Sequence, residues 1–152
     1  NNHDRKGLDL ILTALEKADK RFVLAIASRK AVTHPRVINL GFCNNMPALY
    51  TAADAAILAS KYEPFGLVGP EAVLCGTPVI LANTVGATEV IAEPACTRFQ
   101  LTTESLTKAL KNFLQLHENQ SLVLTEPSLL MPQITDVDQH CHELLKILKY
   151  EA

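Results

Sequence analysis

The 152-residue chain suits one domain that buries its own core. At 48% hydrophobic and 20% charged it has the balance of a globular domain, not of a disordered one. A net charge of −2, 5% aromatics and no Trp offer neither a field nor a stacking surface for nucleic acid.

The polar opening from Asn1 to Lys6 carries no signal peptide and no Met, which predicts a segment cut from a longer protein. No apolar stretch is long enough to span a bilayer. Cys43, Cys75, Cys96 and Cys141 are too far apart for a zinc knuckle or a CxxC pair. They predict reduced thiols in a cytoplasmic protein.

In chain order, Leu8 to Lys17 predicts a helix with Leu8, Ile11, Leu12 and Leu15 on one face. Phe22 to Ala27 is a continuous apolar run, which predicts a strand buried on both faces. Val37 to Leu40 predicts a second strand, halted by Gly41. Asn45 can cap a helix that holds Met46 and Pro47 in its first turn and runs to about Ala53. Ala55 to Leu58 predicts a third strand.

A helix from about Gly66 to Leu74 would stop at Cys75-Gly76. Pro78 to Leu81 predicts a fourth strand, and a short helix from Thr88 to Ile91 would end before Pro94. Thr97 to Gln100 is a weak fifth strand. Helices are then predicted from about Thr103 to Leu116 and Asp136 to Tyr150, with an irregular connection over Glu118 to Gln133. Short strands alternating with helices predict a Rossmann-like parallel α/β domain with helices on both faces.

The segment from Ser60 to Val79 follows a strand's C-terminal end, where open α/β sheets bind ligands. The start of the next helix offers unpaired N–H groups and partial positive charge, which suit a phosphate. Gly66 lets a ligand approach the backbone. Glu63 before the helix and Glu71 one turn inside it would bracket a sugar nucleotide, Glu63 toward sugar hydroxyls and Glu71 toward ribose. Taken alone, a Glu ahead of a helix is more often a solvated residue or a cap.

This segment resembles the signature of retaining family 4 glycosyltransferases, which have the GT-B fold. The signature holds two Glu separated by seven residues, here Glu63 and Glu71. Ser60, Glu63, Phe65, Gly66, Leu67, Glu71, Ala72, Gly76, Pro78 and Val79 match its longer form. Lys6-Gly7-Leu8-Asp9 resembles the family's entry to the first helix of this half. Leu49 to Asp54 resembles the approach to the third strand, and Gly86 to Ile91 resembles a Gly-x-x-Glu-x-Ile loop.

The resemblance implies a donor-binding, C-terminal half of a GT-B enzyme, in which Glu63 and Lys6 are catalytic. Glu63 would meet donor-sugar hydroxyls, and Lys6 would neutralise the diphosphate leaving group. A Lys here is otherwise a solvated side chain beside a cap. Backbone amides around Phe65, Gly66, Leu67 and Val68 would hold sugar and phosphate, and Glu71 would accept ribose hydroxyls. The base would lie over the strand ends near Ser28 and Phe42.

The intact enzyme would transfer a hexose from a UDP-, GDP- or ADP-sugar to a glycan or lipid-linked acceptor with retention. It would need no metal or other cofactor. An N-terminal acceptor-binding domain would complete it, with the last helix packing toward that domain and a possible peripheral membrane association. The 152 residues by themselves would catalyse nothing. Two departures stand out: the family's Arg five residues before the Lys is Asn1 here, and Ala27-Ser28-Arg29 stands where the family often has Gly. These departures keep a second reading open, a non-catalytic nucleotide-binding or scaffold module. His140 and His142, two apart on a predicted helix, cannot form a helical metal pair.

Overall fold

The structure, a computed structural model, describes residues 4–122, 124 and 126–131. The helix expected over 136–150, with His140, Cys141 and His142, lies outside the described residues.

Gly7 opens the first helix, α1 (Leu8–Lys17), as an N-cap in the left-handed region with φ 68°. Ile11, Ala14 and Leu15 form its buried stripe. Strands β1 (Leu24–Ile26) and β2 (Val37–Asn39) pair in parallel, Leu24 beside Val37. Asn45 then caps α2 (Met46–Thr51) by accepting the Ala48 N–H at 3.1 Å, as its sequence predicts.

Strands β3 (Ala56–Leu58), β4 (Val79–Ala82) and β5 (Cys96–Phe99) form a second parallel sheet in that order. Between β3 and β4 runs α3 (Val68–Leu74). A single 3-10 turn, Gly86–Glu89, stands in place of the short helix expected from Thr88 to Ile91, and α4 (Thr103–Glu118) follows β5. A last 3-10 turn, Pro127–Leu130, lies against α3.

All four residues of β4 are buried. Successive side chains point to opposite faces, so both faces of that strand are covered. Ala72 and Val73 of α3, Phe99 of β5, and Leu106 and Phe113 of α4 belong to this core, and α1 packs on α4. The described residues form the Rossmann-like α/β arrangement that the sequence predicts.

Two expectations are corrected. The run from Phe22 to Ala27 is not a strand buried on both faces. It is strand only from Leu24 to Ile26, with Ala25 exposed and Val23 and Ile38 more than half exposed. The connection from β1 to β2 contains no helix, so nothing among the described residues covers that face. The helix expected from Gly66 begins at Val68, because Gly66 has φ 86°, outside the right-handed helical region.

Gly7 also sits where no side chain fits. A Cβ there would lie 2.0 Å from the Ala59 carbonyl oxygen. Gly7→Ala is therefore expected to lower stability by about 2 kcal/mol or more, as the shift of the urea unfolding midpoint, because it adds a left-handed strain to a backbone clash.

Candidate functional site

The strand β3 ends at Leu58, and the chain continues as a loop clamped from both sides. On one side Lys61 N–H donates to the Arg5 carbonyl at 2.9 Å. On the other, Gly86 N–H donates to the Glu63 carbonyl at 3.1 Å and Ala87 N–H to that of Phe65 at 2.7 Å. Thr84 Oγ1 donates to the Ser60 carbonyl at 2.5 Å. Glu63 forms an isolated parallel bridge with Val85. The loop is thus fastened to both the segment before α1 and the segment after β4.

This clamp brings Lys6 and Glu63 together from opposite ends of the site. Lys6 Nζ lies 2.5 Å from Glu63 Oε2, and the Arg5 guanidinium lies 3.6 Å from the same oxygen. Arg5 Nη1 also donates to the Tyr62 carbonyl at 3.1 Å. The Lys6 ammonium, set against the cost of burial, holds the Glu63 carboxyl below its ordinary value, with smaller help from the Arg5 charge. The Ser60 hydroxyl, fully buried, approaches this carboxylate without meeting hydrogen-bond geometry.

Past Glu63, Phe65, Gly66, Leu67 and Val68 lead into α3. Among the described residues none accepts a hydrogen bond from these four consecutive amides. Phe65 and Leu67 are exposed on either side of the buried Gly66, and Val68 is half-buried. A row of N–H groups without acceptors at a helix start favours an anion.

Glu71 stands in the first turn of α3 and is paired separately. The Tyr50 hydroxyl, from α2, donates to Glu71 Oε2 at 2.9 Å. Ser28 and Phe42, expected near the base, do come together. They line one open depression at the C-terminal ends of β1 and β2, with Arg29, Gly41 and Met46 among its walls. The Arg29 guanidinium lies 5.1 Å from the centre of the Phe42 ring, a cation–π distance. Neither Glu63 nor Glu71 lines that depression. Among the described residues no group of three or more His, Cys, Asp or Glu is arranged to hold a metal ion, and no helix is long and apolar enough to cross a membrane.

Residues 3–123 match the family described as glycosyl transferases group 1. The chain belongs to this family. A probable transglycosylase of Burkholderia thailandensis is 49% identical over 96 residues, which are 62% of this chain and 26% of that protein. An uncharacterised glycosyltransferase of Methanocaldococcus jannaschii is 33% identical over 57% of this chain and 26% of its own length. The group 1 chain thus spans about a quarter of the length of these curated relatives. The structure of HepE from Anabaena, solved in complex with UDP and glucose, superposes with a TM-score of 0.73 at 21% identity. That match covers 97% of this chain and 46% of HepE, and it assigns the fold, one half of a GT-B architecture.

In this group 1 domain two pairings escaped the sequence. Whereas the position of the family's Arg is Asn1 here, Arg5 reaches Glu63. Its signal was adjacency to Lys6, in a segment whose carbonyl the Glu63 loop uses. Tyr50 reaches Glu71 across 21 residues, for which the sequence carries no local signal.

The Glu63 carboxyl is depressed in the fold, so its contribution to stability is present above its unfolded value, about pH 4.5. That contribution is lost as pH falls through the lower folded value. Urea midpoints measured at neutral pH and near pH 3 should therefore drop more in the unaltered chain than in Glu63→Gln, which lacks the titrating group.

Proposed function

We propose that this chain is the donor-binding domain of a retaining, metal-independent hexosyltransferase. Its whole protein would move a hexose from a nucleoside-diphosphate sugar to a glycan or lipid-linked acceptor. The observation that carries this reading is the row of four open amides, Phe65 to Val68, between the Lys6–Glu63 pair and Glu71.

In this reading the distal phosphate and the sugar settle on those amides. Glu63 exchanges the Lys6 ammonium for donor-sugar hydroxyls beside the reacting carbon. Lys6, released, turns to the diphosphate and stabilises the charge that grows on it as the glycosidic bond breaks. Arg5, on the same oxygen of Glu63, supplies a second cation where the family's more distant Arg is replaced by Asn1. Glu71 accepts the ribose hydroxyls, and the base lies in the depression with Ser28 and Phe42.

The acceptor would bind to an N-terminal domain that supplies the other half of the cleft. Closure of the two domains would exclude water, so that transfer outruns hydrolysis. By itself the 152-residue domain would bind donor and transfer nothing. A non-catalytic nucleotide-binding or scaffold module is the second reading, favoured by the commitment of Lys6 to Glu63 rather than to an open cleft.

Titration calorimetry with UDP, GDP and ADP separates the proposal from a scaffold. The proposal expects heat with at least one of them, and binding weaker by about tenfold to a hundredfold in Lys6→Met, since a charge-assisted bond to phosphate contributes about 1.5–3 kcal/mol. A folded sample that gives no heat with any of the three contradicts it and leaves the scaffold reading.

A further inference from the structure

Glu71 is an exposed carboxylate on a short helix, and a free Glu side chain samples several rotamers. Among the described residues its one hydrogen bond to a side chain comes from a partner that is itself held at two other places. The Tyr50 residue is only 5% exposed and sits in the main core. Its backbone carbonyl accepts the buried Thr77 hydroxyl at 2.7 Å, which ties the end of α2 to the turn after α3. Its hydroxyl donates to Glu71 Oε2 at 2.9 Å. One turn earlier on the same helix face, Met46 lines the depression that holds Ser28 and Phe42. Helix α2 therefore spans from that depression to Glu71.

We propose that Tyr50 is a positioning residue for donor binding, whose hydroxyl locks Glu71 Oε2 so that the carboxylate meets the vicinal hydroxyls of a ribose in one fixed pose. This rests on the reading of Glu71 as the ribose acceptor. Burial and the neighbouring carboxylate push the Tyr50 phenol above its ordinary range, so it stays protonated and serves as a donor at any physiological pH. A donor of fixed protonation on a rigid ring costs little entropy when ligand arrives, because the carboxylate is ordered beforehand. The competing account is that the bond only satisfies a buried phenol. That account predicts no link between Tyr50 and the sugar of the nucleotide.

Calorimetry on the full 152-residue chain decides between them. The probes are whichever of UDP, GDP and ADP binds tightest, and its 2′-deoxy counterpart. Tyr50→Phe keeps the ring and is expected to weaken the ribonucleotide roughly tenfold while changing the deoxynucleotide by less than about twofold. Glu71→Asp, at an exposed position that leaves the core intact, draws the carboxylate back from Tyr50 and is expected to show the same selectivity. Should Tyr50→Phe weaken both nucleotides equally, or neither, while Glu71→Ala remains selective for the ribonucleotide, the positioning role is overturned and the ribose reading of Glu71 stands. If Glu71→Ala does not distinguish the two nucleotides, or no nucleotide binds, the ribose reading fails and the role of Tyr50 with it.

Discussion

Two backbones approach the Glu63 loop so closely that only glycine fits on either side. A Cβ at Gly7 would meet the Ala59 carbonyl oxygen at 2.0 Å, and one at Gly86 would meet that of Pro64 at the same distance. These contacts bring the segment before α1, the loop after β3 and the loop after β4 into one layer. The hydrogen bonds Lys61 to Arg5, Gly86 to Glu63 and Ala87 to Phe65 then fix their relative register. Every feature of the candidate site depends on that layer. Without it Lys6 and Glu63, 57 residues apart, have no reason to meet.

From the clamp the rest follows in steps. The loop is fastened on both edges by other groups, and the amides from Phe65 to Val68 have no acceptor among the described residues. Gly66, with φ 86°, makes the turn that ends the loop and lets α3 start at Val68. The short helix α3 is in turn tied to α2 through Tyr50 and Thr77. The ion pair to Lys6 on one side and the Tyr50 phenol on the other give each carboxylate a partner.

Much of this was legible in the sequence, for identifiable reasons. The Asn45 cap, the periodic stripe of α1 and the long α4 are local features, set by neighbours within a turn. The Ser60–Val79 signature placed Glu63 and Glu71 around a strand-to-helix turn, and the turn is there. The run from Phe22 to Ala27 misled because composition shows how apolar a strand is, not whether a helix covers it. Here the crossing from β1 to β2 carries none, and Val23, Ile38 and Phe42 stay exposed. The helix start was placed two residues early because a glycine's φ is not written in its letter. Arg5 and Tyr50 were invisible because their partners are brought close by the fold alone.

The central claim is that a sugar diphosphate is held by the open amides between Glu63 and Glu71. Backbone amide NMR during titration with a nucleoside diphosphate reads those groups one by one. The account predicts that the resonances of Phe65, Gly66, Leu67 and Val68 shift most, together with those of Lys6 and Glu71. Saturable binding that leaves these four amides unmoved and shifts a different surface would contradict it.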